Sequence, residues 1–201
     1  MHSKSSWRSR ASAIAFVVLL GALAVPAAAM ADVETFHRFE VDATANYTIT
    51  ETCPDESTST TRVSVIGGHE EEAENGETTL DNDFVNVRIL NFRDCEGNFV
   101  NDQGFGPAEF TFSPSLQVAA VSGTITTRDG RTVAVDIDWA GTGPLEVTNN
   151  RTIFEGFTGH FQGKRRDAVA TGTVVVNGET LVDGSTTNAE IESLEDTNIR
   201  H

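Results

Sequence analysis

Basic residues are scarce in this sequence: 14 lysines and arginines stand against 30 acids in 201 residues, a formal charge of −16. A chain so short of cations lacks the electrostatic footprint of a non-specific nucleic-acid binder. Cysteine is nearly absent as well, with two residues, too few to build a zinc site unaided or a disulfide-dense scaffold. There is a single tyrosine and there are two tryptophans. No stretch of twelve residues keeps a clean helical period, which excludes a helix bundle. The longest uncharged apolar run, Ala13 to Val25, has 13 residues, against the about 20 a permanent bilayer-spanning helix needs.

That run follows Lys4, Arg8 and Arg10 and precedes Pro26 and Ala29-Met30-Ala31. The pattern is that of a cleaved signal peptide over residues 1–31, with a mature chain starting at Asp32. Arg8 and Arg10 are separated by Ser9, so there is no adjacent twin-arginine pair. The expected product is a secreted, extracellular protein that keeps no membrane attachment after cleavage. Of the 14 basic residues, three lie in this leader, leaving 11 against 30 acids, a net of −19.

The rest of the chain is rich in β-branched and aromatic residues broken at short intervals by Gly, Asn-Gly and Asp-Gly, which predicts one all-β domain over residues 32–201. Strands are expected near 35–41, 45–53, 60–67, 83–93, 107–113, 116–127, 131–140, 144–154, 157–165, 168–176, 179–183 and 187–193, with a frayed tail from about 194. Successive hairpins without crossover helices favour an antiparallel up-and-down β-barrel, the alternative being a two-sheet β-sandwich. One hairpin can be argued to its register. If Arg128-Asp129-Gly130 is a three-residue loop with Gly130 left-handed, Ile125 pairs with Val133, Gly123 with Val135 and Val121 with Ile137, gathering the apolar residues on one face. Asn177-Gly178 is the strongest two-residue turn signal. Trp139 is expected inside, with Phe84, Phe92, Phe110, Phe112, Phe157 and Phe161 around it.

Cys53 and Cys95 both follow strands that end at the same pole of an exported chain, so a disulfide between them is expected. On a flat sheet they would be two strand spacings apart, about 9.5 Å, so the sheet must curl or the loops must lean together.

Chemistry-bearing residues are few. The segment Gly67 to Glu77, with His69, Glu70, Glu71, Glu72 and Glu74, reads as a solvated acidic loop, because a zinc helix needs a second histidine at i+4. Asp94, Glu96 and Asn98, with Asp81 or Asp83, offer oxygen ligands for a loose calcium site. Phe99 and Phe105, however, occupy the positions where an EF-hand needs Gly and Glu. Asp136 and Asp138 share a strand face as an acid pair would, and a solvated face explains them equally. His37, His160 and Tyr47 are lone candidates for acid–base work on strands. Lys164, Arg165 and Arg166 form the single basic cluster, a weak surface-interaction candidate read as an exposed turn paired with Asp167. Asn46-Tyr47-Thr48 and Asn150-Arg151-Thr152 fit the N-glycosylation pattern.

No catalytic constellation and no cofactor motif emerges. The expected function is a non-enzymatic binding or interaction module, its partner a protein or a small apolar ligand. The alternatives are a barrel enzyme of isomerase or cyclase type acting on an apolar ligand in its cavity, and a structural envelope or matrix protein.

Overall fold

The computed structural model describes residues 33–200, so the leader and its cleavage site lie outside the described residues. Ten strands form one antiparallel sheet: β1 (Glu34–Thr52), β2 (Thr58–Glu74), β3 (Glu77–Asn91), β4 (Val100–Pro107), β5 (Glu109–Phe112), β6 (Val118–Thr126), β7 (Thr132–Gly141), β8 (Glu146–Phe154), β9 (Phe157–Val176) and β10 (Glu179–Arg200). Their order is β4-β3-β2-β1-β10-β9-β7-β6-β5, and β8 pairs with β9 beyond the end of β7. The ladder is open, because its end strands β4 and β5 do not pair with each other. They are nevertheless consecutive in the chain. The Ala108 amide between them donates to the Asp83 carbonyl (3.3 Å), and an isolated bridge joins Gly104 to Thr127.

The β6–β7 hairpin has the register its apolar alternation predicts, with Ile125 opposite Val133, Gly123 opposite Val135 and Val121 opposite Ile137. Gly130 takes φ 79°, closing the loop through Thr127 and Arg131. Asn177 and Gly178, both left-handed, turn β9 into β10.

The core lies on one face of the curled sheet. Val41, Ala43, Ala45 and Tyr47 of β1, Val63 and Val65 of β2 and Val85 and Val87 of β3 meet Val121, Ile137 and Trp139 of the β6–β7 layer. Two contacts show how close the layers come. The Trp139 indole N–H donates to the Thr44 carbonyl across the core (2.9 Å). A Cβ at Gly67 would fall 2.7 Å from the Val121 side chain.

Several sequence expectations are corrected. The segments 35–41 and 45–53 are one strand, as are 157–165 with 168–176 and 179–183 with 187–193, because ladder pairing resumes through the polar residues between them, in β10 across a bulge between Thr186 and Ala189. The tail from 194 is ordered as strand to Arg200, each residue paired with β1 back to Glu34. The acidic segment 67–77 is no loop: β2 runs to Glu74 and turns at Asn75-Gly76 into β3, its glutamates alternating between faces and meeting Arg38 on one of them. Residues 100–106, too polar to read as a strand, form most of β4. There the buried Asp102 accepts from the Thr127 hydroxyl (2.6 Å) and the Gln103 and Asp129 amides. The phenylalanines divide by parity: Phe110 is buried and Phe112 packs beside the core, but Phe84 lies on the outer face and Phe92 is 67% exposed. Phe157 and Phe161 stand outside the core cluster.

Cys53 and Cys95 form a disulfide with Cα atoms 5.2 Å apart. Both lie in the turns that follow β1 and β3, and these lean over the end of β2 between them.

Candidate functional site

Beyond the core, six strands continue as a sheet extension in the order β3-β2-β1-β10-β9-β8, made of residues 77–83, 69–74, 34–40, 192–200, 157–165 and 146–154. Gly159 is its one fully buried residue among those described. One face continues the core side; the other is an outer face whose members follow from the registers. Glu40 sits between Glu70 and Leu194, Arg38 between Glu72 and Asp196, and Asp42 between Gly68 and Glu192. Glu192 in turn lies opposite Arg165.

An open cleft of about 530 Å³ runs along this outer face, lined among others by Glu40, Asp42, Glu146, Phe161, Arg165 and Glu192. Two arginines organise its carboxylates. Arg38 contacts Glu70 (2.8 Å) and Glu40 (3.1 Å), and reaches Glu72 at 4.0 Å. Arg165 bridges Glu190 and Glu192. Asp42 has neither arginine. Its Oδ1 is buried without a hydrogen-bond partner and lies over Gly68, where a Cβ would collide with it and with the Phe84 ring. Glycine at 68 is therefore what makes room for the carboxyl. Burial first, then the charges of Glu40, Glu192 and Glu70, push Asp42 up to about 7. Burial, together with Glu190, also pushes Glu192 up, against the pull of Arg165. The cleft thus combines a carboxyl that exchanges its proton near neutrality with fixed cations and an aromatic wall, a surface suited to a ligand carrying both polar and apolar groups.

The core-side face of the extension carries a smaller cluster. His69 Nδ1 lies 2.8 Å from Asp83 Oδ1 and 4.0 Å from Asp81, with the rings of Phe39 and Phe112 about 6 Å away. His37 Nε2 meets Glu195 at 3.3 Å. His160 is exposed, opposite Arg151 and Thr197. Tyr47 is buried in the core, its hydroxyl without a partner, and burial pushes its pKa up.

The loose calcium set is not brought together. Asp81 and Asp83 lie in the first half of β3, whereas Asp94, Glu96 and Asn98 lie past its end; the eight residue steps from Asp83 to Asn91 alone span about 26 Å. Asp94 is engaged locally, accepting from the Glu96 amide (3.0 Å) and the Asn98 amide (2.7 Å), and these bonds hold its carboxyl below the ordinary value. Among the described residues no group of three or more His, Cys, Asp or Glu side chains is placed to hold a metal. Asp136 and Asp138 are exposed on the outer face of β7.

The basic cluster is not a turn but the middle of β9, so its residues alternate. Arg165 faces the cleft, while Lys164 and Arg166 belong to the other face, where Arg166 packs over Gly141. Sequence reasoning thus found Arg165 but missed Glu40, Asp42 and Arg38. The readable signal was the strict i, i+2 spacing of Arg38, Glu40 and Asp42, opposite in phase to Phe39, Val41 and Ala43.

No protein-family model matches the chain, and no curated protein matches it. Among solved structures it is similar to a protein of Nitrosomonas europaea provisionally assigned as AttH, at 10% identity and a TM-score of 0.24 over 84% of this chain. The chain spans about half of that protein, 51% of its length. A likeness of that size carries no argument about fold or function.

Proposed function

We propose that this is an exported, non-enzymatic binding module whose recognition surface is the outer face of the six-stranded extension. The observation that carries this reading is the extension itself, whose outer face the chain leaves uncovered, with Phe36 and Phe154 exposed on it. Clustered exposed apolar residues rimmed by charge are what a partner surface looks like before it is covered. The basic, apolar and small-residue pattern of residues 1–31 supports export, and a disulfide suits an oxidising compartment. The described residues contain no helix long and apolar enough to cross a membrane.

The cavity-enzyme alternative draws less support, because Trp139, Ile137, Ile191 and the core valines fill the interior where its chamber would lie. The observation that favours an enzyme is instead the buried, unpartnered Asp42 carboxyl next to Glu40 on the outer face.

Photo-crosslinking in the native host tests the reading. A benzoylphenylalanine at Phe161 should capture partner, and one at Asp136, on the exposed face of the well-packed half, should not. Equal capture at both positions, or none at Phe161, overturns it. Sequencing the released protein should give Asp32 at its N-terminus, and recovery of an intact membrane-bound precursor would refute export.

A further inference from the structure

The extension ends on one side at β8, which bonds to β9 and leaves its other edge open among the described residues. Eight of its nine residues are exposed. An edge of this length with unpaired backbone groups is a template for another strand, and proteins usually blunt such edges with proline, lysine or a bulge. Here no proline, lysine or bulge interrupts Glu146-Val147-Thr148-Asn149-Asn150-Arg151-Thr152-Ile153-Phe154.

We propose that β8 pairs antiparallel with β8 of a second copy of this chain, about a two-fold axis at Asn150. A two-fold axis perpendicular to the sheet keeps each face continuous, so the paired residue numbers must sum to an even value. Centring on Asn150 uses the whole strand. Val147 then meets Ile153, Thr148 meets Thr152, Asn149 meets Arg151 and Glu146 meets Phe154, each twice. Apolar side chains that are 50% and 63% exposed in the single chain lie opposite one another, hydroxyls lie opposite hydroxyls, and no like charges coincide. The neighbouring registers fail this test. Centring on Asn149 sets Val147 against Arg151, and centring on Arg151 sets two guanidinium groups face to face.

The dimer joins two extensions into one continuous sheet of twelve strands, doubling the face on which a partner would be received. It does not depend on what that face binds, and it stands or fails separately from the photo-crosslinking result. A glycan on Asn150 would block the axis, so the test uses protein made without N-glycosylation.

Asn150→Cys places two sulfurs across the axis, with Cα atoms about 4.5–5.5 Å apart, within disulfide reach. Asn149→Cys faces Arg151 and has no such partner. Under mild oxidation the first variant should become a covalent dimer and the second should stay single. Sedimentation should show the wild type shifting from monomer to dimer with concentration. Asn149→Asp, which faces Arg151 twice, should tighten the dimer about 2- to 10-fold, and Asn149→Lys should loosen it by a similar factor. Three results overturn the proposal: a wild type that stays monomeric at millimolar concentration, cross-linking at both cysteine positions alike, or a dimer in which Asn150→Cys never cross-links. Val147→Lys with Ile153→Lys, both exposed and outside the core, should abolish association while leaving the thermal transition in place.

Discussion

The two halves of the sheet use the same backbone pairing and opposite side-chain rules. In the β6–β7 layer alternation is strict: Val133, Val135, Ile137 and Trp139 are buried while Thr132, Asp136 and Asp138 face water. In the extension, His37 to Glu40 of β1, Ser193 to Ile199 of β10 and Glu70 to Ala73 of β2 are all only partly buried, and both faces carry charge. The first half is held by removing apolar area from water, about 25 cal/mol per Å². The second is held by ladder bonds and by ion pairs such as Arg38 with Glu70 and Arg165 with Glu192, each worth about 0–1 kcal/mol when exposed. Strand continuity therefore lets a packed core carry a sheet that could not stand alone, and the extension should open locally at far lower free energy than the core.

Substitution in the core should break both halves together. Trp139→Ala removes a side chain that is 1% exposed and its bond to Thr44, and should cost about 3–5 kcal/mol in denaturant unfolding. If the extension kept its amide protection after such a loss, the dependence argued above would be wrong. Replacing Cys53 and Cys95 by serine opens a loop of sequence separation 42 and should cost up to about 4 kcal/mol on the chain-entropy model, with melting of the pole opposite the extension leading.

Asp42 sharpens the contrast through pH. Its carboxyl stands at about 7 in the fold against an ordinary 3.8, so the folded state holds the proton more tightly than the unfolded chain does. The stabilisation this gives is complete below about pH 4 and is lost as pH rises through 7. After allowance for solvent screening of a part-exposed group, the loss is on the order of 2 kcal/mol. Asp42→Asn should flatten that slope and stabilise the protein at pH 8; an unchanged slope in the variant would show that another group carries it. The smallest effect belongs to the ion pairs. Arg38→Ala leaves Glu40, Glu70 and Glu72 facing one another and should cost about 1 kcal/mol. Amide exchange should place that loss in residues 34–40 and 70–74, with the core protected as before.

The core half was legible in the sequence because burial on one face leaves a period of two: Val121, Ile125, Val133 and Ile137 decide the β6–β7 register unaided. The extension was not, since Glu70, Glu71 and Glu72 or Arg165 and Arg166 show no apolar alternation once neither face is buried. What decides their structure is an ion-pair partner on the neighbouring strand, Arg38 for Glu70 and Glu192 for Arg165, and such partners lie far away in sequence. Phe84 misled for a related reason, being apolar yet outward, where it shelters Asp42 at Gly68. The Asp94 turn was readable as polar, and its local bonds gave no hint that Asp81 and Asp83 stand at the far end of β3.

The pairing of β1 with β10 has a kinetic meaning. Arg200 reaches Glu34 across a sequence separation of 166, and β10 is also the strand that joins β1 to β9. While the chain is being made, β1 to β4 can zip as successive hairpins and β6 can zip with β7, but these two parts stay apart until residues 179–200 arrive. The free edge of β1 must wait until β10 has been made, exposed to strands of other chains. A topology governed by such distant contacts folds slowly, and the arrival of β10 sets the moment at which this sheet becomes one cooperative unit.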